Sequence, residues 1–370
     1  MKSKSLILNL IVIFLSCFSM TVTTAPAAPQ KLYVCPACGC AADDRTFDKP
    51  GKCPSCGMDL IEKGDQKNPT VAILLFDGAE VIDYAGPWEV FGQAGFKIFT
   101  VAENSKPIDA VFGQKLIPDY TFGNAPGADI VLVPGGRGSR SAMQNEAVLK
   151  WLQQRAQTSN YTMSVCTGAL ILGKAGLLDG LTATTFHDAF DLLSQAAPKT
   201  HVVSDQRYVD NGKIITTAGL SSGIDGALHL VSKIKGKGFA QATALTLEYR
   251  WDPDSKFARA ALADRYFPRI DNLDGEIVST EGDVNRWRLQ VLISKPNSAA
   301  AIIELIGKQV ASANPHTRTV VVGPPDGNKN AVGWKFVDEQ GRDWNGNASV
   351  ESGNQAGKFL LTVNLSRQSI

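Results

Sequence analysis

Cys166 sits where an apolar run passes without interruption into a helical pattern, in Ser164-Val165-Cys166-Thr167-Gly168-Ala169. A thiol on such a strand-to-helix elbow faces unpaired backbone amides. Their partial positive charge is expected to lower its pKa and raise its thiolate fraction. A second Gly-rich turn, Val133-Pro134-Gly135-Gly136-Arg137-Gly138, closes another apolar run. With no side chains in the way, the amides of Gly135 and Gly136 can face a developing oxyanion. The expected reactive centre is Cys166 as nucleophile, with the amides of Gly136 and Thr167 holding negative charge on the substrate. A buried structural cysteine is the competing reading, and the setting of two Gly-rich turns at strand ends favours the reactive one.

The other concentration of chemistry is near the start, where Cys35-Pro-Ala-Cys38-Gly-Cys40 and Cys53-Pro-Ser-Cys56-Gly57 place five of the seven cysteines within 22 residues. Each C-P-x-C-G turn aims two thiolates at one point, so Cys35, Cys38, Cys53 and Cys56 are the expected ligands of a tetrahedral site. Cys40 is then the odd thiol. Zinc is the expected metal, since four thiolates suit it and hard oxygen ligands are scarce here. In an oxidising compartment the same residues would instead pair as disulfides. The segment Tyr33-Val-Cys-Pro followed by Pro50-Gly-Lys-Cys-Pro-Ser-Cys-Gly-Met-Asp-Leu60 resembles a short heavy-metal-binding domain. That family usually carries Met-His after the first Cys-Pro; Ala37-Cys38 stands there instead, which makes the pattern closer to a zinc ribbon.

The elements that must position Cys166 are legible in the periodicity. Val71 to Phe76, Phe96 to Val101, Asp129 to Val133 and Tyr161 to Val165 are too uniformly apolar to be half-exposed, and read as strands buried on both faces. Glu146 to Ala156 and Ser222 to Ile234 are amphipathic helical stretches. Strands alternating with helices predict an α/β fold, a parallel sheet covered on both faces.

On these elements a family resemblance becomes specific. Phe76-Asp-Gly-Ala-Glu-Val-Ile-Asp83-Tyr-Ala-Gly-Pro-Trp-Glu-Val-Phe91, the Pro-Gly-Gly turn, the Cys166 elbow and Thr217-Ala-Gly-Leu-Ser-Ser-Gly-Ile-Asp-Gly-Ala-Leu-His229 resemble the ThiJ/PfpI family, over about half the chain. The resemblance implies a flavodoxin-like sheet, homodimers, and kinship with the branch holding isonitrile hydratases and the sensing halves of AraC-type regulators. It also implies a carboxylate facing the nucleophile, and Asp83 is the matching position. A protonated carboxyl beside sulfur can hydrogen-bond the thiolate and later deliver a proton. Glu89 competes for this role, six residues on, if Pro87 breaks the helix between them. The family's Ala-Thr-Thr-His becomes Ala183-Thr184-Thr185-Phe186-His187, which moves the histidine by one residue and, on extended backbone, to the other side. His187 remains a catalytic candidate in that shifted register.

Against these sites the whole chain is neutral ground: 37 basic and 36 acidic residues leave no excess to drive nucleic-acid binding. Lys2 and Lys4 precede an apolar stretch from Leu6 to Phe18, and Ala25-Pro26-Ala27 offers a cleavage site. The reading is an export signal over 1–27, with a retained anchor or a lipid anchor at Cys17 as alternatives. Each puts the remainder in the periplasm or outside the cell. The expected organisation is then a cysteine-rich module over 31–63, a linker over 64–69, the ThiJ/PfpI domain over 70–250, a wrapping tail over 251–268 and a small α+β domain over 269–370. The last is strand-rich, without the paired helix-turn-helix units of a DNA-binding regulator. Two functions stand: an exported cysteine-dependent enzyme acting on a small electrophile such as an isonitrile, and a ligand or redox sensor without turnover.

Overall fold

The computed structural model describes residues 31–35, 40–42, 45–63, 68–268, 273–296, 298–312, 318–323 and 327–368. The expected export segment, Cys17, Cys38 and most of the linker lie outside the described residues. Among the described residues no helix is long and apolar enough to cross a membrane.

Three short strands, β1 (Tyr33–Val34), β2 (Thr46–Phe47) and β3 (Ile61–Glu62), form an antiparallel sheet in the order β2-β1-β3. Its core is the nearly inaccessible Cys35, Ala42 and Cys53. So few apolar side chains cannot offset the entropy of ordering the segment, and a metal or cross-links must contribute.

The central unit is the α/β fold predicted from the buried runs, in the flavodoxin-like form that the family resemblance implies. Its strands are β4 (Thr70–Leu74), β5 (Lys97–Ala102), β6 (Tyr120–Thr121), β7 (Ile130–Val133), β8 (Tyr161–Ser164), β9 (Tyr208–Asp210) and β10 (Ile214–Thr217). They lie in the order β9-β10-β8-β7-β4-β5-β6, parallel except for β9, which returns antiparallel along β10. Val71, Ile73, Ile130, Leu132 and Met163 are wholly inaccessible, as strands covered on both faces must be. Helix α1 (Val81–Gln93) packs with α4 (Ser222–Lys235) and α5 (Lys237–Thr246), while α2 (Glu146–Thr158) packs with α3 (Gly168–Lys174). Pro87 lies inside α1 without ending it.

The C-terminal unit is a six-stranded antiparallel sheet in the order β11-β12-β16-β15-β14-β13, built from β11 (Asp274–Gly282), β12 (Arg286–Lys295), β13 (Arg318–Val322), β14 (Ala331–Val337), β15 (Asp343–Ser352) and β16 (Phe359–Arg367). Helix α6 (Ala299–Ser312) covers the face carrying Trp334, Phe336 and Trp344 through Ile302, Ile306 and Val310.

The tail predicted to wrap the central domain divides its contacts. Tyr208 donates to the Pro253 carbonyl at 3.1 Å, and Arg207 donates through Nη1 to the Phe257 carbonyl at 2.8 Å. From Leu262 onward the chain joins the C-terminal core, and the Ala263 amide donates to Asp283. Arg207 also grips Asp225 through Nε at 2.6 Å, and Asp225 in turn accepts from Tyr249. Asp225 is buried, so Arg207→Ala would leave a carboxylate without its counter-charge in a low-dielectric site. We expect that substitution to cost about 3 to 5 kcal/mol, read as a lower urea midpoint in unfolding of the full chain; an unchanged midpoint would show that the tail anchor is dispensable.

Candidate active site at Cys166 and the N-terminal cysteine cluster

Cys166 adopts φ 57°, a left-handed conformation rare for a side chain with a Cβ and costing about 1 to 2 kcal/mol. Three bonds hold it there. Its amide donates to the Ala218 carbonyl at 3.0 Å, its carbonyl accepts from Thr185 Oγ1 at 2.9 Å, and the Gly168 amide folds back to Val165 at 2.9 Å. The result is a turn from β8 into α3 with Thr167 at the N-cap and the thiol turned toward the first turn of α1. A Cβ on Gly135 would lie 2.5 Å from the Thr167 amide and 2.9 Å from Cys166 Cβ, so only glycine lets this loop close on the elbow.

Asp83 comes from that first turn of α1 and is completely buried. Its Oδ2 accepts from the Gly135 amide at 3.0 Å, while Oδ1 is buried without a hydrogen bond of ordinary geometry. Burial pushes its pKa up to about 7 against the pull of the Gly135 amide, and the charge of Glu80 adds to the rise. The Cys166 thiol and the Leu220 amide act on the same carboxyl in the opposite direction. Glu89, the competing acid, is exposed and accepts instead from Gln93 at 3.0 Å.

The thiol does not have the lowered pKa expected of a helix end. Burial raises it to about 12, the neighbouring Asp83 charge adds to the rise, and the Thr167 amide and hydroxyl only partly offset them. The seven-residue α3 supplies too small a field to outweigh a desolvated anion beside a carboxylate. The Cys166–Asp83 pair therefore gives up one proton near neutrality and resists losing the second. Moving the remaining proton from sulfur to the carboxyl creates a nucleophile and an acid together.

The oxyanion role expected of Gly136 is also corrected. Its amide donates to Thr167 Oγ1 at 3.0 Å, and Ser139 Oγ reaches the same hydroxyl at 2.9 Å. The Gly135 amide is likewise committed to Asp83, so the turn positions the acid and Thr167 rather than offering free donors. Thr167 keeps its amide on the sulfur. His187 is not brought to the thiol: its Nδ1 meets Asp188 at 2.6 Å. Phe186 takes the inward register, its ring lying against Gly219, where any Cβ would collide with it.

In the N-terminal module the structure gathers Cys35, Cys40, Cys53 and Cys56, with all four sulfurs within 4.8 Å of one another. Among the described residues Cys40, expected to be the odd thiol, joins the set, while Cys38, expected as a ligand, lies outside the described residues. Separations of 3.4 Å (Cys35 to Cys56) and 3.8 Å (Cys35 to Cys40 and Cys40 to Cys53) are far beyond a disulfide's roughly 2.05 Å. They match the edge of a tetrahedron with metal–sulfur bonds of ~2.3 Å, about 3.8 Å. Amides of Ala42 and Ser55 approach Cys40 and Cys53 at 3.4 Å each. At Cys53, burial would raise the thiol, but the amides of Cys56 and Ser55 and neighbouring thiols bring it down to about 6, which favours the thiolate a metal needs. These four residues would hold the ion, and its contribution there is to fold the module.

Two measurements follow. Asp83 holds its proton more tightly folded than unfolded, so its contribution to stability is complete below about pH 4 and is lost as pH rises through about 7. The melting temperature of Asp83→Asn relative to the parent should therefore climb between those values and level off above; a difference independent of pH would refute the buried acid. Cys40→Ser should lower the metal content measured by atomic emission as strongly as Cys53→Ser, and full occupancy in Cys40→Ser would remove Cys40 from the set.

Residues 69–233 match the DJ-1/PfpI family, and residues 32–63 match the heavy metal binding domain. An isonitrile hydratase from Pseudomonas putida is 36% identical over 183 residues, 48% of this chain and 78% of that protein. The HTH-type transcriptional regulator GbdR of Pseudomonas aeruginosa is 27% identical over 184 residues, covering 50% of its length. A ThiJ/PfpI family protein from Pseudomonas syringae, known by crystal structure, aligns at 32% identity over 52% of this chain and 79% of its own, with a TM-score of 0.47. From the elbow cysteine, its buried acid and the extent of the match to the hydratase, the chain belongs to the DJ-1/PfpI family.

Proposed function

We propose that this chain is a cysteine-dependent enzyme that hydrates isonitriles to N-substituted formamides. The observation that carries the reading is the buried Cys166 thiol on a strained elbow, facing the buried carboxyl of Asp83. The similarity to an isonitrile hydratase over most of that protein's length supports it.

In the reaction, the proton passes from sulfur to Asp83 as substrate enters. Sulfur then forms a bond to the terminal isonitrile carbon while the Asp83 carboxyl protonates that same carbon, giving a thioimidate and a carboxylate. Asp83 next takes a proton from water as its oxygen adds to the carbon. Asp83 hands that proton to nitrogen, collapse then breaks the carbon–sulfur bond as the hydroxyl forms the carbonyl, and its proton passes through Asp83 to the leaving sulfur, so the formamide leaves with the thiol restored. The Thr167 amide, already directed at the sulfur, stabilises the thiolate at the start and end of the cycle.

The same reading makes zinc the metal of the cysteine cluster, because four thiolates suit it. Export through the N-terminal apolar segment and pairing into homodimers complete the proposal, the first supported by Lys2, Lys4 and the run that follows, the second by the family. A second reading, a small-ligand or redox sensor without turnover, is favoured by Phe186 in the histidine register and by the likeness to a regulator over half its length.

The deciding assay sets the purified chain against a panel of isonitriles and glyoxals. Formamide production should fall at least about a thousandfold in Cys166→Ser, and a parent protein no faster than that variant would end the hydratase reading.

A further inference from the structure

The four-thiolate centre of the N-terminal module is not enclosed evenly. Cys35 and Cys53 are sealed, at 1% and 2% exposure, Cys40 is half-buried, and Cys56 is exposed. The path of the chain makes the difference. Cys35 follows β1 into the small core with Ala42 and Cys53, whereas Cys56 stands in an unbroken exposed stretch from Pro54 to Asp59. Its neighbour Gly57 turns at φ 77°, and an added Cβ there would meet nothing within 4 Å. A turn that favours glycine thus leaves open space beside this ligand.

The sulfurs also differ in what holds them. Cys53 accepts from the Ser55 amide at 3.4 Å and is approached by the Cys56 amide, and Cys40 accepts from the Ala42 amide at 3.4 Å. Such donors withdraw charge from a thiolate and fix its direction, which keeps it on a metal. Among the described residues no amide or hydroxyl donates to the Cys56 sulfur, whose neighbours are the Cys35 sulfur at 3.4 Å and Cys53. Cys56 therefore combines access from solvent with an undamped sulfur, and ligand exchange at a metal thiolate needs both. The set is complete in number for a closed structural site. In access it is open at one corner.

We infer that the four-thiolate centre exchanges its ion through Cys56, with a soft donor of the thiol class as the incoming ligand, while Cys35, Cys40 and Cys53 retain their hold. In the step, the sulfur of the incoming thiol forms a bond to the metal, the bond from the metal to Cys56 breaks, and the proton of the incoming thiol passes to the Cys56 sulfur, with no change of oxidation state. The three remaining thiolates keep the ion, and with it the β2-β1-β3 sheet, in place during the exchange. The centre then passes metal without unfolding the module. The inference is independent of the reading of Cys166.

Its test uses the full chain loaded with zinc and requires no turnover. In a short pulse of N-ethylmaleimide, peptide mapping by mass spectrometry should find Cys56 labelled about tenfold or more ahead of Cys35, Cys40 and Cys53. Prior incubation with glutathione should raise labelling at Cys56 alone, because exchange frees that sulfur. Transfer of zinc to a chromophoric chelator should quicken in proportion to glutathione in the parent; in Cys56→Ser, whose corner is already vacated, it should be faster and independent of glutathione. Labelling spread evenly over the four or led by another of them, or glutathione dependence kept in zinc-loaded Cys56→Ser, would overturn the inference. If that variant takes up no zinc, the order of labelling in the parent decides alone.

Discussion

Two ionisable groups buried side by side in a medium that disfavours charge are what the central domain is organised around. Cys166 and Asp83 cannot both be anionic at neutral pH, because burial raises both groups and the Asp83 charge raises the thiol further. That constraint explains the local architecture. The left-handed elbow brings sulfur to the start of α1, the Gly135 amide supports the carboxyl, and the glycine turn presses closely enough on Thr167 that no side chain fits between. The strain at Cys166 persists because the carbonyls and hydroxyls of two neighbouring strand ends over-determine it.

The hydrogen bonds around Thr167 show how the same backbone groups serve positioning rather than substrate. Ser139, Gly136 and Thr167 satisfy one another in a buried network, so the amides that would be free in an open turn are spent on rigidity. The Cys166 thiol is then left with Asp83 and the Thr167 amide as its polar partners. A histidine in the inward register would have offered a second proton acceptor; Phe186 occupies that register and places an apolar ring there instead. Loss of a base and gain of an apolar surface are thus one substitution seen from two sides.

The tail joins the central domain to the C-terminal unit by hydrogen bonds at both ends. It crosses from α5 to the C-terminal sheet, and its hold on Arg207 links it to the buried Asp225. The six-stranded sheet has its own tightly bonded corner, in which Asp338 accepts from the Arg342 and Trp344 side chains and from two backbone amides. It is a self-supporting body, able to brace the tail without sharing a core with the central domain.

Much of this was legible in the residues. Strands β4, β5, β7 and β8 announced themselves because burial on both faces demands unbroken apolar runs, and the elbow because a strand passing directly into a helix has few sequence forms. Strand β15 is weakly marked in the residues, since its inward positions are Trp344, Gly346, Ala348 and Val350, two of them too small to mark a period, and so is β11, which is exposed along nearly its whole length. The sequence by itself determined the fold class, the elbow position of Cys166 and a cluster of cysteines near the start, and the family resemblance pointed to Asp83 as the acid facing the thiol. Only the tertiary structure decided that Cys40 joins the four-thiolate set, that Cys166 is raised and not lowered in pKa, that the Gly136 amide is committed and that the tail anchors on Arg207. The reason is common to all four: local spacing and helix ends are properties of neighbours along the chain, whereas desolvation, donor commitment and tail docking depend on residues brought together from distant segments.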